Sequence, residues 1–160
     1  MKFRHEITYD APAADVYAML MDPEFRRRSC DAQGVLSAEI SIEPEGSGTK
    51  VVIDQVQPTA GVPSFAKKIV GERTRAIQVE EWTDPTSATM TVETPGKPTH
   101  LSGRLTLTER GTTTVEAFEG EAKAKVPLIG GKLESLLRDL FQQGMDKEHV
   151  AGVAWLKGER

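Results

Sequence analysis

The residues that could ligate a metal or act as a general base are few and widely spaced. The chain has three histidines, His5, His100 and His149, and a single cysteine, Cys30. No HExxH or His-x-His pattern occurs, and a CxxC motif is impossible with one cysteine. A zinc or iron site needs three or four ligands that converge on the ion. We therefore predict neither a metal site nor a cofactor.

His5 is the histidine best placed to face the interior. It alternates with Phe3 and Ile7 on the apolar face of a strand predicted at residues 2–9. One interpretation is a polar group that orients a ligand, or a general base, inside a cavity. The other, which we favour, is a histidine paired with backbone or water, because buried polar groups usually have a structural partner. No residue is predicted to be catalytic.

The charged motifs have structural interpretations. Glu80 and Glu81 are adjacent on a predicted strand and point to opposite faces, so they cannot act together as a catalytic acid and base. Glu119 and Glu121 share a face only if no bulge separates them, and solvent exposure is expected for all four carboxylates. The basic cluster at residues 26–28 has acidic neighbours and is predicted to be a solvated helix face. No Gly-x-Ser-x-Gly nucleophile motif is present.

Apolar side chains form the strongest candidate site, a cavity lined with hydrocarbon. Methionine suits an adaptable pocket because its side chain is unbranched and polarizable. Small residues such as Gly103, Ala122 and Ala124 leave room that large ones would fill, which favours a cavity over the alternative of a filled core. The predicted cavity residues are His5, Met19, Phe65, Trp82, Met90, Phe118, Leu137, Phe141 and Met145.

Periodicity along the chain predicts the elements that would position these residues. After the first strand come two short helices, one with Asp10 as N-cap and one from Pro23 to Cys30. Alternating residues between 36 and 126 predict six more strands, with a short helix at 63–70. A bulge is expected near 118–120, where the apolar residues change parity.

An apolar stripe at helical spacing predicts one long helix from Pro127 to about Leu156. The predicted fold class is α+β. A seven-stranded curved antiparallel sheet wraps around the long C-terminal helix, with two short helices between strands 1 and 2. The helix is the element long enough to cover the buried face of such a sheet.

Composition limits the classes of function. A length of 160 residues fits a single domain, at 1–160. The net charge of -4 argues against nucleic-acid binding. No apolar stretch approaches the ~20 residues that span a bilayer, so stable membrane insertion is not predicted. One cysteine excludes an intrachain disulfide, and a cytoplasmic location is expected by elimination. The oligomeric state is unknown from the sequence.

Two segments at opposite ends of the chain resemble a known superfamily. Residues 123–134 are similar to the junction between last strand and final helix in START-like (SRPBCC, Bet v 1-like helix-grip) proteins. Tyr9-Asp10-Ala11-Pro12, followed by residues 16–20, resembles the first strand and helix of that superfamily. The similarity covers nearly the whole chain and is greatest to the actinobacterial DUF2505 family. It implies the helix-grip fold.

The resemblance leaves several functions open, because START-like proteins include lipid carriers, hormone receptors, cyclases, hydrolases and chaperone activators. Our leading hypothesis is binding or transport of a small apolar or lipid-like molecule between the sheet and the C-terminal helix, with the Phe65 segment as a gate. One alternative is a cyclase- or hydrolase-type enzyme that uses His5 or an inward carboxylate as base. Another is a protein-interaction module with a filled core.

Overall fold

Seven antiparallel strands form one sheet, and its two edge strands are neighbours in the sequence. The computed structural model describes residues 1–59 and 61–160. The strands pair in the order β1-β7-β6-β5-β4-β3-β2. They are β1 (Lys2–Tyr9), β2 (Ser37–Glu45), β3 (Gly48–Pro58), β4 (Arg73–Asp84), β5 (Ser87–Glu93), β6 (Thr99–Arg110) and β7 (Thr113–Ala124).

Two short helices connect the edge strands, and a long one follows the last strand. The helices are α1 (Ala13–Leu20), α2 (Pro23–Ala32), α3 (Ser64–Val70) and α4 (Gly130–Leu156). This confirms the α+β fold expected from periodicity. Within residues 1–59 and 61–160, no helix has the length and apolar character needed to cross a bilayer.

The two short helices begin differently. Asp22 caps α2, because its carboxylate accepts the backbone N–H of Glu24 at 2.9 Å and Pro23 follows in the first turn. Asp10 does not cap α1. The N-cap there is Pro12, without a side-chain hydrogen bond, so that prediction was wrong.

β7 keeps one register along its whole length. It pairs with β1 and with β6 without a shift, so the bulge predicted near 118–120 is wrong. Its inward face carries Thr114 and Glu116, which pair with the core residues Tyr9 and Ile7 respectively. Apolar periodicity misassigned this face because these two inward residues are polar.

A glycine pair makes room for an aromatic cluster on the inner face. Gly103 and Gly120 are partners across β6 and β7. A Cβ at Gly103 would stand 2.7 Å from Cζ of Phe118 and 2.4 Å from a backbone carbonyl oxygen of β7. The Phe118 ring lies 5.3 Å from that of Phe3 and 4.6 Å from that of Phe141, centroid to centroid. The three rings thereby join β1, β7 and α4.

Near the C-terminal end of the helix, α4 lies directly on β1. A Cβ at Gly152 would stand 2.6 Å from Cε1 of Tyr9, so glycine permits this close approach. Trp155 packs edge-to-face on Phe25 of α2, with ring centroids 5.6 Å apart. Earlier in the helix, up to Glu148, the inward side chains border an open volume instead.

We expect Gly103→Ala to destabilise the protein by about 1–3 kcal/mol, the usual cost of overpacking a core. The new methyl group would collide with the Phe118 ring and the β7 backbone. Urea denaturation measures the free energy of unfolding. Gly131→Ala is the control, because its Cβ would meet nothing within 4 Å. Unchanged stability of Gly103→Ala would show that the ring does not need this space.

Candidate functional site

A cavity of about 710 Å³ lies between the sheet and the inward side of α4. Small-molecule sites in proteins commonly have volumes of roughly 300–1,000 Å³. One wall of the cavity is apolar and comes from β5, β6 and α4. Its residues are Met90, Val92, Leu101, Leu105, Leu133, Leu136, Leu137, Leu140, Phe141 and Met145.

The mouth of the cavity lies between α4 and the segment that leads into α3. Exposed lining residues are found at Gly61 and Pro63 on one side and at Asp139 and Lys147 on the other. α3 adds Ala66 to the wall. A ligand that enters at this mouth would pass α3.

A second wall of the cavity is polar, contrary to the expectation of a hydrocarbon lining. It contains Gln55 of β3, Gln78 and Glu80 of β4, and Glu116 of β7. Gln55, Glu80 and Glu116 are each less than a tenth exposed. A bound molecule would therefore meet hydrogen-bonding groups on one side and hydrocarbon on the other.

Arg26 and Glu80 form a buried ion pair at this wall. Nη1 and Nη2 of Arg26 donate to the two Glu80 oxygens at 3.0 and 2.7 Å, and its Nε donates to the carbonyl of Leu20 at 2.7 Å. Glu80 also accepts from the amide of Gln78 at 2.6 Å and from the indole of Trp82 at 2.9 Å. Both charged side chains are almost fully buried. The predictions of a solvated Arg26 and an exposed Glu80 are therefore wrong.

The sequence did contain a signal for this pair. Residues two apart on a strand share a face, so Glu80 lies on the same face as Trp82, which was predicted to be inside. Arg26 is three residues before Ser29 and four before Cys30, and these residues form the buried side of α2. The runs of charge around both residues masked these patterns.

Two more carboxyl groups face the cavity. Glu116 is 3% exposed, and among the described residues its Oε1 finds no hydrogen-bond partner. Burial first, and the neighbouring Glu148 second, raise the pKa of Glu116 to about 8. Burial also raises the pKa of Glu148, which accepts a hydrogen bond from Ser29. A carboxyl group that keeps its proton near neutral pH can donate a hydrogen bond, or the proton, to a bound molecule.

The fold and site agree with a family assignment from the sequence. Residues 4–156 match the profile of the family described as "Protein of unknown function (DUF2505)". The chain belongs to this family. A comparison with curated proteins gives no match.

Solved structures with the fold of this DUF2505 protein share little sequence with it. TTHA0849 from Thermus thermophilus is 21% identical, with a TM-score of 0.63 over 94% of this chain and 93% of that one. Ara h 8.0201 is 15% identical, with a TM-score of 0.63 over 99% and 98%. A START superfamily protein from Mycobacterium smegmatis is 12% identical, with a TM-score of 0.62 over 97% and 98%. The family and the START-like fold implied by the resemblance are confirmed.

The predicted cavity residues occupy three different places in this DUF2505 fold. Met90, Leu137, Phe141 and Met145 line the cavity. Met19, Trp82 and Phe118 are instead buried in the main core and do not border the cavity.

His5 and Phe65 also lie apart from the cavity lining. His5 is half-buried, and its Nε2 makes a 2.7 Å hydrogen bond with Oδ1 of Asp146. Phe65 packs in a small cluster with Ala66 and Leu133. In the described part of the chain, no group of three or more histidine, cysteine or acidic side chains is arranged to hold a metal ion.

Arg26→Met should destabilise the protein by about 3–5 kcal/mol, because Glu80 would remain as a buried charge without its cation. The double variant Arg26→Met/Glu80→Gln should recover most of this loss, since the glutamine is neutral and still accepts from Trp82. Urea denaturation of both variants gives the comparison. Equal stability of the single and double variants would contradict the desolvated ion pair.

Glu116 should make the protein less stable as the pH rises. Its pKa increases on folding from an ordinary value of 4.5 to about 8. Between pH 4.5 and about 8, the folded state therefore binds more protons than the unfolded state. The stability that protonated Glu116 contributes is complete below pH 4.5 and is lost as the pH rises through 8. Relative to wild type, Glu116→Gln should gain roughly 2–4 kcal/mol between about pH 5 and about pH 9.

Urea denaturation at each pH measures that difference. Glu119→Gln is the matched control, because Glu119 is on the same strand but exposed. Its difference from wild type should change little with pH. A flat profile for Glu116→Gln would show that Glu116 titrates as an ordinary carboxylate.

Proposed function

We propose that this protein binds or carries a small molecule with an apolar body and a polar end. The observation that supports this function is the division of the cavity into an apolar wall and a polar wall. The body of the ligand would contact Leu137, Phe141 and Met145. Its polar end would lie against the polar wall, which includes Gln55 and Glu116. Burial of apolar area would supply most of the affinity, and the polar groups would fix orientation.

A lipid-like molecule with one polar group fits this description. A wholly hydrocarbon ligand fits less well, because it would displace water from the polar groups and offer no hydrogen bonds in its place. The carrier hypothesis from the sequence is therefore kept, with an amphipathic ligand in place of a purely apolar one. A protein-interaction module with a filled core is disfavoured by a cavity of about 710 Å³.

A cyclase- or hydrolase-type enzyme acting in the same cavity is the second candidate. One observation favours it: Glu116 borders the cavity with a pKa of about 8, which suits a general acid or base near neutral pH. His5 does not have this position, since it binds Asp146 away from the cavity lining. An enzyme of this kind would therefore use Glu116 rather than His5.

A cavity-filling variant tests the binding function. The neutral fluorophore N-phenyl-1-naphthylamine brightens in apolar surroundings and serves as the probe. Leu137→Trp should weaken its binding by about tenfold or more, equivalent to at least about 1.4 kcal/mol, because the indole would occupy the cavity. Fluorescence titration measures the dissociation constant.

Val150→Trp is the matched control, since Val150 is on the same helix, is 71% exposed and does not line the cavity. It should leave probe binding within twofold of wild type. No probe binding to the wild type, or equal binding by both tryptophan variants, would contradict a ligand site in this cavity.

A further inference from the structure

The charges at the polar wall do not balance. Arg26 is the buried cation there, and each of its three guanidinium nitrogens already donates to Glu80 or to the Leu20 carbonyl. Glu80 in turn receives four hydrogen bonds. Arg26 and Glu80 therefore neutralise each other, and Glu116 and Glu148 remain as two carboxyl groups on the same cavity.

Glu116 has unused hydrogen-bonding capacity at the wall of the cavity. Its side chain lines the cavity, is 3% exposed, and has an Oε1 without a hydrogen-bond partner among the described residues. An unpaired buried carboxyl oxygen costs free energy that a ligand donor would recover. Glu148 accepts a hydrogen bond from the Ser29 hydroxyl, a neutral donor that would not compensate the charge of the carboxylate once Glu148 is ionised.

Building on the binding function proposed above, we propose that Glu116 and Glu148 form a subsite for the protonated nitrogen of an amphipathic amine. The ammonium group would donate to Oε1 of Glu116 and to Glu148, and its alkyl or aryl body would lie on the apolar wall. Charge-assisted hydrogen bonds of this kind are stronger than neutral ones, most of all where water is excluded.

The charges distinguish an amine from other polar ends. A carboxylate or phosphate ligand would meet two carboxyl groups, while the buried Arg26 is already occupied by Glu80. A hydroxyl could accept a hydrogen bond from protonated Glu116 but would leave the charge of an ionised Glu148 without compensation. The exposed Lys147 and Asp139 at the mouth have opposite charges and do not alter this balance inside.

Binding of the ammonium ion should expel the proton that Glu116 carries near neutral pH. The groups that face Glu116 are Arg26 from α2, Glu80 from β4, Glu148 from α4 and the buried Tyr9 hydroxyl from β1. His100 of β6 borders the cavity at its partly exposed side. Burial and the two glutamates raise the pKa of Tyr9, so it stays neutral, and Glu116 and Glu148 are left to release the proton.

Octylamine, octanol and octanoate form a matched set of probes, tested by displacement of N-phenyl-1-naphthylamine and by calorimetry. An alkylammonium group, like that of lysine, has a pKa of about 10.4 and stays charged throughout. Octylamine should bind at least about tenfold more tightly than octanol, and octanoate most weakly. As the pH rises toward 8, the affinity for octylamine should increase by up to about tenfold per pH unit, because fewer protein molecules carry the proton that the ammonium group must displace.

Calorimetry in buffers of different ionisation enthalpy should detect release of up to one proton per octylamine bound and none for octanol. Glu116→Gln should weaken octylamine binding about tenfold, weaken octanol binding by less than that, and reduce the proton release. Glu119→Gln, with the same change of charge at an exposed position of β7, should match wild type. If Glu116→Gln does not fold, the proton release of the wild type decides the question.

The outcomes separate this inference from the proposed function. If the fluorophore binds but octylamine binds no better than octanol, or releases no proton, the amine subsite is overturned and the binding function stands. If the fluorophore does not bind at all, the binding function fails, and the amine subsite fails with it.

Discussion

The ion pair between Arg26 and Glu80 determines how the interior of this protein is arranged. It joins α2 to the middle of the sheet, and its bidentate geometry fixes the distance between them. Such a pair stabilises the native state only while both partners are present, because either charge alone would be buried and uncompensated. Within this pair, Glu80 neutralises the charge of the buried arginine. The remaining carboxyl groups of the cavity therefore depend on protons, or on a ligand, for neutrality.

The position of α4 explains why the cavity exists at all. At Gly152 the helix lies on the Tyr9 ring, and at Trp155 it packs against α2, so its C-terminal end is held close to the sheet. Near the middle of the helix, Phe141 meets Phe118 at one side of the curved sheet. The helix packs mainly on β1, β6 and β7, and the cavity occupies the space between it and the rest of the sheet.

Periodicity predicted the fold well because most of the strands and the long helix place apolar residues against the core, and the resemblance at the two ends of the chain agreed with it. The site was predicted only in part. Met90, Leu137, Phe141 and Met145 are apolar residues on inward faces, which a pattern can detect. Glu80 and Glu116 also face inward, but an apolar pattern assigns such residues to the surface, and at Glu116 this produced the false bulge. Arg26, which pairs with Glu80, and Glu148, which lies near Glu116, come from helices distant in sequence, and no local pattern shows these contacts.

The polar wall is costly for a protein of this size. Folding alone would favour leucine or valine at Glu116, since a buried carboxyl group without a partner loses its hydration and receives nothing in return. Local conflicts of this kind are expected at functional sites, where interactions with a ligand replace those lost to water. Among the described residues, the other buried side-chain atom without a hydrogen-bond partner is the Tyr9 hydroxyl, which faces Glu116, whereas the aromatic cluster around Phe118 consists of hydrocarbon rings. The residues that weaken the fold are therefore the ones most informative about what the cavity binds.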